Sequence, residues 1–338
     1  MLTKLSLHYL SGSGWKRLLA VAALSAGCVL PAAAQDVKIA SFRALAFFPA
    51  WFAKDAGFFE REGLNVELLF FNSGSEMTAA MLSKSANFST TSSDRPMLLK
   101  EKGQATFNLV SLTTRSPFSV LVPVASTLPY GNIGALKGKK IGITQRGSSS
   151  DTAIRAILRP SGVDPDKDVT LLALGTAEAG VAALASGQID ALIVSEPGTS
   201  VAVNQEKSGK MFLDLRKGEG PPAASRATFF TLQATEEYLK ANPEVVRKAI
   251  RAICKGTKAA KADPQAALKV AQKYFPKLDT AILAAALQSE SVTFGTEITD
   301  EMIKAVSDAA VSVKVIQKGY STDDVVVAKD FRALWGCS

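Results

Sequence analysis

The chain of 338 residues has one histidine, His8, and three cysteines, Cys28, Cys254 and Cys337. His8 sits in a leader-like N-terminal segment, so the remainder has no imidazole. Ser-His-Asp and Cys-His catalysis, and metal sites built on histidine, are excluded together. No internal repeat is present, and no low-complexity tract follows the leader. What remains is ordinary for a globular protein, with 47% hydrophobic and 21% charged residues, which excludes disordered, collagen-like and many-spanning membrane classes. At roughly 150 residues per domain, two domains are expected.

Residues 1–34 contain no acidic side chain; Lys16 and Arg17 precede the apolar run 18–27, and Pro31 is followed by Ala32, Ala33 and Ala34. That order is a charged region, an apolar region and an Ala-x-Ala site, which reads as a cleaved secretory signal with Gln35 as the mature start. The apolar run is too short and broken for a membrane span. Ser25-Ala26-Gly27-Cys28 offers lipidation as an alternative, with Ser where bacterial lipoprotein signals usually have Leu. Removing Lys4, Lys16 and Arg17 lowers the formal charge from +8 to +5. The lysines are densest over 247–277, where aromatics are confined to Tyr274 and Phe275 at the far end, a solvated helix face rather than a nucleic-acid surface. Export permits one disulfide between Cys254 and Cys337. A buried Cys254 with a free Cys337 accounts for the pair equally well.

Apolar periodicity predicts strands at 37–40, 66–71 and 87–91 separated by helices at 49–57, 75–83 and 96–102, an alternation that implies a parallel sheet. The same logic restarts at 136, with strands at 140–144, 169–173, 191–195 and 211–215 and helices at 151–158 and 177–186. Two extended runs, 118–125 and 228–233, bracket this second unit, so it reads as an insertion and the runs as crossovers. Asn242-Pro243-Glu244, Asp263-Pro264 and Thr299-Asp300-Glu301 each open a C-terminal helix. The expected fold is α/β and bilobed: a signal at 1–34, an outer domain from 35–120 and 230–338, and an inserted inner domain at 121–229.

The stretch from Pro49-Ala50-Trp51-Phe52 through Asp55-Ala56-Gly57-Phe58-Phe59 to Gly63-Leu64-Asn65-Val66-Glu67 resembles the opening of periplasmic solute-binding proteins of the nitrate, sulfonate, taurine and thiamine-precursor class. Residues 136–143, then Gly162-Val163-Asp164-Pro165, then 184–197 with Gly187, Asp190, Ala191, Glu196 and Pro197, resemble the second domain of the same family in order. The resemblance implies the type II periplasmic-binding-protein fold, two doubly wound α/β domains joined by two crossover strands. It also implies hinge closure on a small ligand and delivery to the membrane permease of an ABC importer, by a periplasmic monomer without cofactor, metal or nucleic acid. A related eukaryotic branch makes a thiamine-precursor pyrimidine with a cysteine cluster and histidine. This chain has neither, so no enzyme is expected.

Ligands in open α/β sheets sit beyond the carboxyl ends of strands. After the first strand stand Leu45, Phe47 and Phe48, which with Trp51 form an apolar wall or pack the helix onto its sheet. After the second come Ser73, Gly74 and Ser75 at a helix start, suited to an anion or to ordinary capping. Ser93 and Asp94 follow the third beside Arg95, and Asp94 and Arg95 either pair with each other or read a polar ligand. Thr114 and Arg115 lie before the first crossover, and Arg226 before the second; a guanidinium fork matches two oxygens of a carboxylate or sulfonate. In the inner unit, Gly147, Ser148, Ser149 and Ser150 lead, with Asp151 as a competing cap, followed by Thr176 and Glu178, then Glu196. An anionic organic ligand, sulfonate or carboxylate, is the first expectation. A pyrimidine-like or aromatic nutrient, a solute-sensing module and an exported enzyme are the alternatives.

Overall fold

The computed structural model describes residues 34–226 and 229–337; the leader, with Cys28, lies outside them. The described chain opens with β1 (Gln35–Phe42), α1 (Phe48–Asp55), β2 (Leu64–Phe71), α2 (Gly74–Leu82), β3 (Phe88–Ser92), α3 (Arg95–Glu101) and β4 (Thr106–Ser111). It continues through β5 (Phe118–Pro123), β6 (Lys140–Ile143), α4 (Ser149–Leu158), β7 (Thr170–Ala173), α5 (Ala177–Ala185), β8 (Ala191–Ser195) and β9 (Gly209–Asp214). It then adds β10 (Phe230–Thr235) and four long helices, α6 (Pro243–Ala262), α7 (Pro264–Tyr274), α8 (Thr280–Ser291) and α9 (Asp300–Ser312). Shorter helical turns fill the connections.

The strands form two five-stranded sheets, ordered β2-β1-β3-β10-β4 and β7-β6-β8-β5-β9. In the first, β1 runs parallel to β2 from Gln35 opposite Leu64 to Phe42 opposite Phe71, and parallel to β3. β10 is antiparallel to both β3 and β4. The second repeats the plan: β6 is parallel to β7 and β8, and β5 is antiparallel to β8 and β9. The sheets are therefore mixed, not purely parallel. The two runs read as crossovers are the strands by which the chain enters the second sheet and re-enters the first, reached through short connections: 112–117 before β5 and, before β10, a stretch whose described residues are Arg226 and Phe229.

Side-chain capping explains several boundaries. Ser73, Ser148, Thr176 and Thr299 each accept from a backbone N–H three residues on, the N-cap geometry that satisfies an orphan donor. Asp263 accepts from the N–H groups of Gln265 and Ala266 and starts α7 directly after α6. The long α6 crosses α1 at Gly256, where a Cβ would stand 2.6 Å from that of Ala53. Trp51 is buried in this layer, donates to Ser41 Oγ at 2.9 Å and packs on Tyr274 at 4.8 Å. Cys254 of α6 is bonded to Cys337, with the Cα atoms 5.4 Å apart, so the paired alternative is the one realised.

The first sheet also carries a buried polar network. Gln233 of β10 donates to the carbonyl of Ser92 and to Asn108 Oδ1, each at 3.0 Å, and accepts from Thr91 at 2.7 Å. Thr231 donates to the same Asn108 oxygen at 2.6 Å. Satisfied networks of this kind set side-chain orientation in a low-dielectric core. Here the network fixes Thr91, which faces the site described next.

Candidate functional site

A cavity of about 60 Å³ lies where the ends of the two sheets face each other, with walls from both. The first sheet contributes Phe42 at the end of β1, Thr91 of β3 and Phe230 at the start of β10; Phe47 joins them from the turn before α1. Phe47 packs against Phe230 at 4.5 Å between ring centres, and Phe118 at the start of β5 sits 6.3 Å from Phe230. Ile143, Thr144 and Leu192 through Ser195 close the opposite side from the ends of β6 and β8. The walls are thus aromatic and aliphatic, interrupted by hydroxyls, and no charged side chain is among the lining residues.

Three helix starts meet this space. Ser73 and Gly74 bring the first turn of α2, Ser148, Ser149 and Ser150 that of α4, and Thr176 and Ala177 that of α5. The cap oxygens take one N–H each, but the first amides of a helix have no intrahelical partner and carry partial positive charge. Thr144, Ser148 and Ser150 form a hydroxyl cluster with Oγ separations of 2.8–2.9 Å. Asp151 does not block the end of α4. Its carboxylate accepts from the Gly147 N–H at 2.8 Å and from Arg155 Nε at 2.8 Å, so its charge is already paired.

The other residues singled out above lie elsewhere. Leu45 is fully buried and its N–H donates to the Glu196 carbonyl at 2.9 Å, a backbone tie between the two units. Phe48 is also fully buried and stacks near Phe294, so of the adjacent pair it is the packing residue. Ser75 and Glu178 are exposed on their helices, and Gly147 stands exposed at φ +72° in the turn before α4. Ser93 is buried with an unpartnered hydroxyl, and Asp94 is half-buried beside it. Thr114 donates to the Thr293 carbonyl at 3.3 Å.

Neither arginine read as an anion partner reaches the cavity. Arg115 is exposed and donates to the carbonyl of Arg216 at 3.4 Å, and Arg226 is exposed in a 3.4 Å pair with Glu301. Both follow the connections outward instead of into the space between the sheets. Glu196 is buried, accepting from Arg216 at 2.6 Å and from the Ser200 N–H at 3.0 Å, so it holds the end of β8. Phe42, Phe118, Thr144 and Phe230 line the cavity without having been singled out. Their common signal is position at a strand end, which became readable only once strand ends were known.

The family model described as NMT1/THI5 like matches residues 45–267, well over half the chain. The riboflavin-binding protein RibY of Chloroflexus aurantiacus is 25% identical over 240 residues, 68% of this chain and 63% of that protein's length. A 4-amino-5-hydroxymethyl-2-methylpyrimidine phosphate synthase of Saccharomyces cerevisiae is 27% identical over 237 residues, 68% of each chain. Among solved structures, the alkanesulfonate-binding protein SsuA of Xanthomonas axonopodis pv. citri, bound to MOPS, superposes with a TM-score of 0.72 at 20% identity, covering 88% of this chain and 100% of that one. That likeness establishes a bilobed α/β fold of the periplasmic-binding-protein kind. With the family model matched across both sheets, the chain belongs to the NMT1/THI5-like family.

Proposed function

We propose that this protein is the extracytoplasmic solute-binding component of an ABC importer, exported by its leader, and that it takes a small organic ligand with an apolar body and a sulfonate or carboxylate end. The observation that carries this reading is the convergence of three capped helix starts on one aromatic-walled cavity shared by the two sheets. Helix N-termini supply donors and positive potential to an oxyanion, and the walls of Phe42, Phe47, Phe118 and Phe230 remove the ligand's apolar part from water. SsuA, which shares the fold, was solved bound to a sulfonate-class buffer, in keeping with such a ligand.

The two lobes in this reading are 35–120 with 230–338, and 121–229. Closure is a hinge motion at the short connections, and ligand favours it by touching both lobes. The chain binds and delivers; it breaks no bond. On a scale where about 10–15 Å³ admits one water, the cavity holds a small group, so a larger ligand requires the lobes to part.

A neutral aromatic heterocycle is the second reading. It is favoured by the absence of charge from the lining and by relatives named for riboflavin and for a pyrimidine. A thermal-shift screen of the protein against alkyl and aryl sulfonates, carboxylates, nitrate and pyrimidines separates the two, because a ligand bound only by the folded state raises the melting temperature. Shifts confined to the anions support the first reading. Shifts confined to neutral rings replace it with the second.

A further inference from the structure

Arg95 opens α3 and is only 8% exposed. Its Nη2 donates to the carbonyl of Gly147, the residue before the α4 cap, at 3.3 Å. The same nitrogen lies 3.7 Å from where a Cβ on Gly74 would stand, in the first turn of α2. Gly74 and Ser148 both line the cavity while Arg95 itself does not, so the guanidinium sits behind the lining, at the seam between two of the three helix starts, and is reached when the lobes part. Its Nε is buried without a partner, and no carboxylate of a described residue stands within ion-pair reach of it. The neighbouring Asp94 does not pair with it either; Asp94 Oδ1 is itself buried and unpartnered.

A guanidinium stays charged in any protein environment, and a buried charge whose only partner is one long bond to a neutral carbonyl is strongly unfavourable. The cation is therefore placed for a counter-charge that the chain itself does not supply. We infer that Arg95 is the specificity-determining cation that pairs with the anionic end of the ligand, a sulfonate or carboxylate, at the seam between the starts of α2 and α4. This rests on the solute-binding reading above and adds to it the residue that selects charge. The planar fork meets two oxygens at once, and the flanking helix amides complete the set of donors around the anion.

The test uses matched probes, benzenesulfonate and benzoate against the neutral benzenesulfonamide and benzamide, titrated calorimetrically into the wild-type protein, Arg95→Met and Arg95→Lys. The expected result is preference of the wild type for the anions, a loss of about tenfold or more in anion affinity in Arg95→Met, and little change for the amides. Arg95→Lys retains part of the anion affinity. Unliganded Arg95→Met should melt at or above the wild-type temperature, since an unpaired buried charge has been removed. Undiminished benzenesulfonate binding in Arg95→Met overturns the assignment. So does a lower melting temperature with all four probes weakened alike, which marks Arg95 as a strut to Gly147. Wild-type binding of the amides alone also overturns it while leaving solute binding intact. Binding of none of the four by the wild type defeats the solute-binding reading for this ligand class, and the assignment with it.

Discussion

Arg216 and Glu196 form a buried ion pair, Nη1 to Oε1 at 2.6 Å, and Arg216 Nε is taken by Asp214 at 2.8 Å. The guanidinium is thereby committed before Glu290 of α8 comes near. Glu290 is completely buried, receives a hydrogen bond from Thr293 at 3.2 Å, and leaves its second oxygen unpartnered. Burial pushes its carboxyl up to about 8; Arg216 pulls against this, while Glu196 adds repulsion.

A titration of stability follows from that carboxyl. The native state holds a proton that the unfolded chain releases near the ordinary value of 4.5. The stabilisation is therefore full below pH 4.5 and is lost as pH rises through about 8. Glu290→Gln should flatten urea-derived stability across that window, where a single proton contributes at most about 1.4 kcal/mol per pH unit. A variant that keeps the wild-type slope would show another group to be responsible. Asp324 acts in the opposite sense on the acid side, held down to about 2 by the backbone and hydroxyl of Ser321, so its stabilisation is lost only as pH falls below the ordinary 3.8.

The neighbours Phe47 and Phe48 should separate binding from folding. Phe48→Ala empties a core site against Trp51, Phe52 and Phe294 and is expected to cost about 3–5 kcal/mol in denaturant unfolding. Phe47→Ala opens the cavity wall instead, so ligand affinity should fall more than stability does. Equal losses of affinity in both folded variants would refute the division.

At Gly256, helix crossing leaves no space for a methyl group: the nearest atoms, all in Ala53, stand at 2.6 and 2.8 Å from a built Cβ. Gly256→Ala should destabilise the protein by about 1–3 kcal/mol despite the better helix propensity of alanine. An increase in melting temperature would mean that α6 and α1 slide apart without penalty.

The bridge between Cys254 and Cys337 closes a separation of 83 residues. Loop closure of that size limits the unfolded chain, so reduction, or Cys254→Ala with Cys337→Ala, should remove about 2–5 kcal/mol. Identical melting curves with and without reductant would contradict this.

Where local signals were strong, the fold could be read from the chain. Strands β6, β7 and β8 fall within a residue or so of their apolar runs, and the helices begun by Pro243 and Pro264 start at those prolines. Two elements were missed. β4 mixes Thr106, Asn108 and Ser111 with its apolar positions because it carries the buried network, and α8 is apolar on nearly every side, which hides its period. The site was half legible: the hydroxyl-bearing loops Ser73-Gly74 and Ser148 to Ser150 line the cavity, since capping is a local property. The arginines Arg95, Arg115 and Arg226 could all be named as candidates, but not their directions: Arg115 and Arg226 are exposed while Arg95 is buried against Gly147, and the direction of a long side chain depends on neighbours distant in sequence.

The return of the chain to the first sheet through β10 has a consequence for how the protein is made. The second sheet is complete as soon as residues 118–214 exist, because all five of its strands, β5 to β9, are contiguous in the chain. The first sheet cannot be completed so early. Its β4 has no neighbour until β10, more than a hundred residues downstream, slots between it and β3. The N-terminal half emerges first and finishes last, with an open edge exposed in the interval. A break anywhere before Phe230 would leave the earlier-made half without the strand that joins β3 to β4.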